Sequence, residues 1–171
     1  MSPKAALTLA SALTAAALVT IAYVAIGAMS GAPWSEWPSN ARSALGIAPA
    51  AAMTAGLAAW LVVGWREGAD LDRKWTPIGM AFKTVALAFL MFPVFVLICL
   101  MIAELLDQVF AAAPGTFREA WVWMPSIALY ALIFGVMLGA LPALAAEFFL
   151  CRRYLRLTTK NLSDKYNGAV D

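Results

Sequence analysis

The chain has no histidine in 171 residues. That excludes bis-His haem, His-ligated chlorophyll, His-based zinc sites and histidine general bases. Cysteine is nearly as scarce, with Cys99 and Cys151 alone. Cys99 lies inside an apolar run and Cys151 beside Arg152, so the two belong at different depths. Neither a structural disulfide nor a cysteine metal site is expected. Charge is the third shortage, at 13% of residues. A soluble domain carries about 25%. What fills the space is apolar: 63% of the chain is hydrophobic and mean hydropathy is +0.80. A water-soluble fold would have nowhere to put that surplus. Disordered chains, basic nucleic-acid binders and almost all soluble enzymes are thereby excluded. An integral membrane protein remains.

The uncharged intervals organise the chain. No charge falls between Lys4 and Glu36, between Arg42 and Arg66, between Lys83 and Glu104, or between Glu119 and Glu147. Each interval can cross a hydrocarbon core of ~30 Å at about 1.5 Å per residue. They predict an all-α polytopic protein, a bundle of four transmembrane helices with short loops. The helices are expected at about 6–29, 44–64, 84–106 and 121–150. Residues 1–151 form the membrane domain and 152–171 a short basic cytoplasmic tail. Strands are excluded because period-2 alternation is absent and an open strand edge cannot sit in lipid. The first apolar stretch is too long for a signal-peptide core, so it reads as an anchor.

Orientation follows from Lys and Arg. With the N-terminus inside, the inner side holds Lys4, Arg66, Arg73, Lys74, Lys83, Arg152, Arg153, Arg156, Lys160 and Lys165. Only Arg42 and Arg118 fall outside. This asymmetry predicts cytoplasmic termini, and the high alanine content points to a bacterial inner membrane. The tryptophans agree. Trp34, Trp37, Trp121 and Trp123 fall at the outer boundary, and Trp60, Trp65 and Trp75 at the inner one. Indoles prefer that level, so all seven are read as interfacial anchors.

Packing is assigned to small residues, because lipid is as apolar as leucine and helices cohere by close backbone approach. The second helix carries Ala44, Ala48, Ala52 and Gly56, and the fourth Ala131, Gly135, Gly139 and Ala143. The first carries Thr8, Ala12, Ala16 and Thr20. The third, rich in Phe, Leu, Ile and Met, is expected to face lipid or a partner.

Candidate sites are few. Glu147 continues the stripe of Gly135, Gly139 and Ala143, which directs it into the bundle near the inner end. A buried acid there needs a cation, with Lys83 or Arg66 the expected ion-pair partner, or else it is held protonated. Glu36, Glu104, Asp107 and Glu119 form a candidate acidic patch on the outer side. Arg152, Arg153 and Arg156 cluster beside the membrane, where anionic lipid headgroups are attracted. No phosphate loop and no nucleophile–base arrangement is visible, so no catalytic residue, metal or cofactor is expected.

Pro33-Trp34-Ser35-Glu36, after the first helix, is similar to the Trp-Ser-Glu segment in the four-helix small membrane subunits of TRAP transporters. Length and topology fit that family too. Trp37 and Pro38 depart from it, standing where a second acid and a helix would fall, and the inner loop lacks its histidine. The resemblance implies a transporter subunit. The residues themselves favour a non-catalytic accessory or binding subunit of a membrane complex. A small transporter using Glu147 and Lys83 is the alternative, and an immunity-type protein against a membrane-active toxin a further one. Expected partners are the bilayer, another membrane protein or a second copy, and anionic headgroups at the tail. No nucleic acid is expected.

Overall fold

The computed structural model describes residues 2–29, 37–69, 75–111 and 116–167. Among them there are four helices and no strand: α1 Pro3–Met29, α2 Trp37–Glu67, α3 Pro77–Ala111 and α4 Thr116–Asn167. All four contain a segment long and apolar enough to cross a membrane. In hydrocarbon every backbone donor and acceptor must be satisfied within the segment, and a helix does this.

Local chemistry sets the starts. Pro3 and Pro77 open α1 and α3, where a missing N–H costs nothing. The preceding hydroxyls cap them. Ser2 Oγ accepts from the Ala5 N–H at 3.2 Å, and Thr76 Oγ1 from the Gly79 N–H at 3.2 Å. Pro49, Pro93, Pro125 and Pro142 lie inside helices that continue past them. Two buried threonines return their hydroxyls to their own helix. Thr54 donates to the Ala50 carbonyl at 2.9 Å and Thr84 to the Met80 carbonyl at 3.0 Å.

The helices run longer than the apolar intervals alone predict. The difference is greatest at α4, which does not stop at residue 150 but continues to Asn167. Its 52 residues span about 78 Å at 1.5 Å per residue. The basic tail is therefore not a separate element for most of its length. Hydropathy marks where lipid ends, and nothing in Arg152-Arg153-Tyr154-Leu155 breaks a helix.

Each helix packs on its chain neighbours, and α4 closes the ring against α1. The α1–α2 contact is the most extensive and the α1–α4 contact the least. Paired levels show antiparallel neighbours: Gly56 of α2 faces Thr8 and Ala12 of α1, while Gly135 and Gly139 of α4 face Phe92 and Phe89 of α3. Small side chains make α2 the most enclosed helix, with Ala48, Ala50, Ala51, Ala58, Ala59, Val62 and Val63 buried. Ala52 and Ala143 are half-buried.

A buried apolar cluster sits at one end. Leu7 opens it from α1, Val62 and Val63 from α2, Met80 and Ala81 from α3, and Cys151 and Tyr154 from α4. The start of α1 and the Cys151–Tyr154 stretch of α4 thus meet at one end of the bundle. Helix α3 is not simply a lipid or partner face. Phe89 and Phe92 enter the glycine groove of α4, while Leu90, Val94, Ile98 and Ile102 are exposed.

Candidate functional site

Near that cluster, one acid is buried. Glu147 on α4 is 6% exposed, and Ser11 on α1 is 1% exposed. Ser11 Oγ donates to Glu147 Oε1 at 2.9 Å. One turn further along α4, Cys151 Sγ donates to the same oxygen at 3.9 Å, a weak thiol contact. A hydroxyl, a thiol and a carboxyl therefore converge across the α1–α4 seam.

The expected ion pair is not formed; among the described residues no cation bridges to Glu147. Lys83 and Arg66 are used elsewhere. Lys83 Nζ lies 4.2 Å from the centroid of the Trp75 ring, and the Arg66 guanidinium 5.1 Å from that of Tyr154. Register explains Arg66. Tyr154 is seven residues beyond Glu147, about 10 Å along the helix. An Arg stacked on that ring sits nearer the headgroup level than the carboxyl does. Lys83 turns back toward the loop that precedes α3. Both contacts are cation–π arrangements.

Among the described residues an ion pair joins Lys4 to Glu67, with Nζ to Oε2 at 2.8 Å. Lys4 also stands 5.3 Å from the centroid of Trp60. Trp60 and Trp65 are half exposed on α2 near this end. Arg152, Arg153 and Arg156 are exposed along α4.

Several sequence candidates lie outside what the structure describes. Trp34 and Glu36, with the TRAP-like Pro33–Glu36 segment, are not among the described residues. Trp37, Glu104, Asp107, Glu119, Trp121 and Trp123 belong to helices, but their side chains are outside the described set. The acidic outer patch and the outer tryptophan belt therefore have no geometry here. Ala44 and Ala131 are in the same position.

Ser11 was missed from the sequence. A depth count reveals it: Ser11 stands seven residues from Lys4, and Glu147 five from Arg152. Two antiparallel helices with cationic ends at one boundary bring those positions to similar levels.

Chemically, the site is a hydrogen-bonded tie. It lies on the least extensive seam of the ring and joins the first helix to the last. Oε1 accepts from two donors, which orients the carboxyl. With no imidazole in the chain, no histidine stands ready to activate the Ser11 hydroxyl. Among the described residues no group of three acids, cysteines or histidines is placed to hold a metal. Comparison with protein-family models, with curated proteins and with solved structures gives no match.

Proposed function

We propose that this chain is a non-catalytic accessory or binding subunit of a larger membrane complex. We place both termini on the cytoplasmic side on the strength of the charge asymmetry, and the membrane as a bacterial inner one on the high alanine content. The observation that carries the reading is α4. With Ser11 level with Glu147, α1 begins level with about residue 155 of α4. Helix α2 ends at Glu67, one residue past the Arg66 that stacks on Tyr154. Beyond that level α4 runs on to Asn167 without them. Arg156, Leu157 and Thr159 are exposed there. A helix that extends past the level of α1 and α2 offers a surface to another chain. The buried acid supports the same reading, because its Oε1 is engaged in closing the ring.

A small transporter or transporter subunit is the second reading, favoured by a carboxyl buried within a membrane-spanning helix. It loses Lys83 as partner, since that ammonium lies on Trp75. Purification of the full chain from its native membrane in mild detergent separates the two. The accessory reading expects a second membrane protein in stoichiometric amount, lost when the chain is cut after Thr159. A lone protein whose melting temperature rises with a small solute would replace it with the transporter reading.

A further inference from the structure

The edge between α1 and α2 carries an open groove of about 490 Å³. That volume is within the ~300–1,000 Å³ range of ligand clefts. Ala5, Thr8, Leu9 and Ala12 of α1 line it, with Trp60 of α2. The small side chains leave the space, and the indole supplies a flat apolar side. From Lys4 to Ala12 the groove follows α1 for about 12 Å at 1.5 Å per residue.

One end is charged and the rest is not. Lys4 lines that end, and its ammonium meets the Glu67 carboxylate at 2.8 Å. Both groups remain reachable, with side chains 29% and 51% exposed. An exposed pair of this kind contributes little to stability. Its two charges are open to a ligand that presents the opposite two.

We propose that this groove binds one phospholipid with a zwitterionic primary-amine headgroup, of the phosphatidylethanolamine class. The phosphate lies against the Lys4 ammonium and the headgroup ammonium against the Glu67 carboxylate. One acyl chain follows Ala5, Thr8 and Ala12 beside Trp60. Charge complementarity selects this class. A glycerol headgroup would satisfy Lys4 with its phosphate but present only neutral hydroxyls, and no cation, to the Glu67 carboxylate. A choline headgroup has no N–H to donate to Glu67, and Lys4 already occupies the neighbourhood of the Trp60 ring. The site is distinct from the basic cluster on α4, where only negative charge is attracted.

Native mass spectrometry of the full chain tests this, in mild detergent doped with equal amounts of phosphatidylethanolamine, phosphatidylglycerol and phosphatidylcholine. The ethanolamine adduct should exceed each of the others roughly two- to fivefold, the yield of one exposed charge contact. Glu67→Gln should abolish that preference and raise the glycerol lipid to at least parity. Ala5→Phe fills the slot and should reduce all three adducts. Leu13→Phe, on an exposed position of α1 outside the groove, should change none of them. Equal retention of the three lipids by the parent, a preference for the glycerol lipid, or an unchanged ranking in Glu67→Gln overturns the proposal. Glu67 and Ala5 are both exposed, so both variants should fold, and circular dichroism of each is the check.

Discussion

Ser11 and Glu147 are 136 positions apart in the chain, yet the hydroxyl of one donates to the carboxyl of the other at 2.9 Å. They join the first and last helices across the least extensive contact of the ring. Ser11→Ala removes the cross-helix donor and leaves the acid buried. The loss should be about 0.5–2 kcal/mol, the range for interhelical hydrogen bonds in membranes. Glu147→Leu with Ser11→Ala should recover part of it, because neither polar group is then stranded. Thermal unfolding of the parent, both single variants and the double variant in one detergent gives the coupling energy. Strictly additive losses would show that the bond carries no coupling.

Gly139 faces Phe89. A methyl group at Gly139 would stand 3.3 Å from Phe89 Cζ, tighter than ordinary van der Waals contact. Gly139→Leu should force the ring aside and cost about 1–3 kcal/mol. Adding Phe89→Ala should return part of the loss, since the leucine then has room. Val136→Leu, on an exposed position of the same helix, should stay within about 0.5 kcal/mol of the parent. The melting temperatures of the four proteins decide it. A harmless Gly139→Leu would mean that this groove does not pack on α3.

The four helices were legible because crossing lipid imposes a length and forbids charge, and both conditions are written in the intervals from Lys4 to Glu36, Arg42 to Arg66, Lys83 to Glu104 and Glu119 to Glu147. Helix ends were less legible. Hydropathy stops at the headgroups, while backbone hydrogen bonding carries α4 on through Arg152 and Arg153. The placement of Glu147 followed from its four-residue spacing after Gly135, Gly139 and Ala143. Its partner did not. Opposite charge pointed to Lys83 and Arg66, but aromatic rings nearer the boundary hold both. A serine carries no charge to draw attention, and it is found only by matching depths across two helices.

Leu7 and Tyr154 share one cluster, so the start of α1 and the basic stretch of α4 lie on one side of the bundle, and the lysines and arginines point to the cytoplasmic side. Cysteines placed at Ser39 and Thr116 should react with an impermeant thiol reagent added to intact cells. One placed at Ser163 should react only after lysis. The parent, with its own Cys99 and Cys151, sets the background. The opposite labelling pattern would invert the orientation.

Truncation separates the two parts of α4. Cys151 and Tyr154 are buried against Leu7, Val62, Val63 and Met80, so the start of the basic segment belongs to the core. A stop after Leu150 removes both side chains and exposes the ends of α1 and α2. Losing one large buried side chain typically costs about 3–5 kcal/mol, a large share of a native stability of roughly 5–15 kcal/mol. That chain should fail to give a monodisperse peak in size-exclusion chromatography. A stop after Thr159 leaves the cluster complete and removes only part of the projecting helix. Its melting temperature should match the parent's within a few degrees. If the shorter chain is as stable as the parent, the cluster does not hold the bundle together. If the longer one unfolds, the projection is packed against the bundle and is not free for a partner.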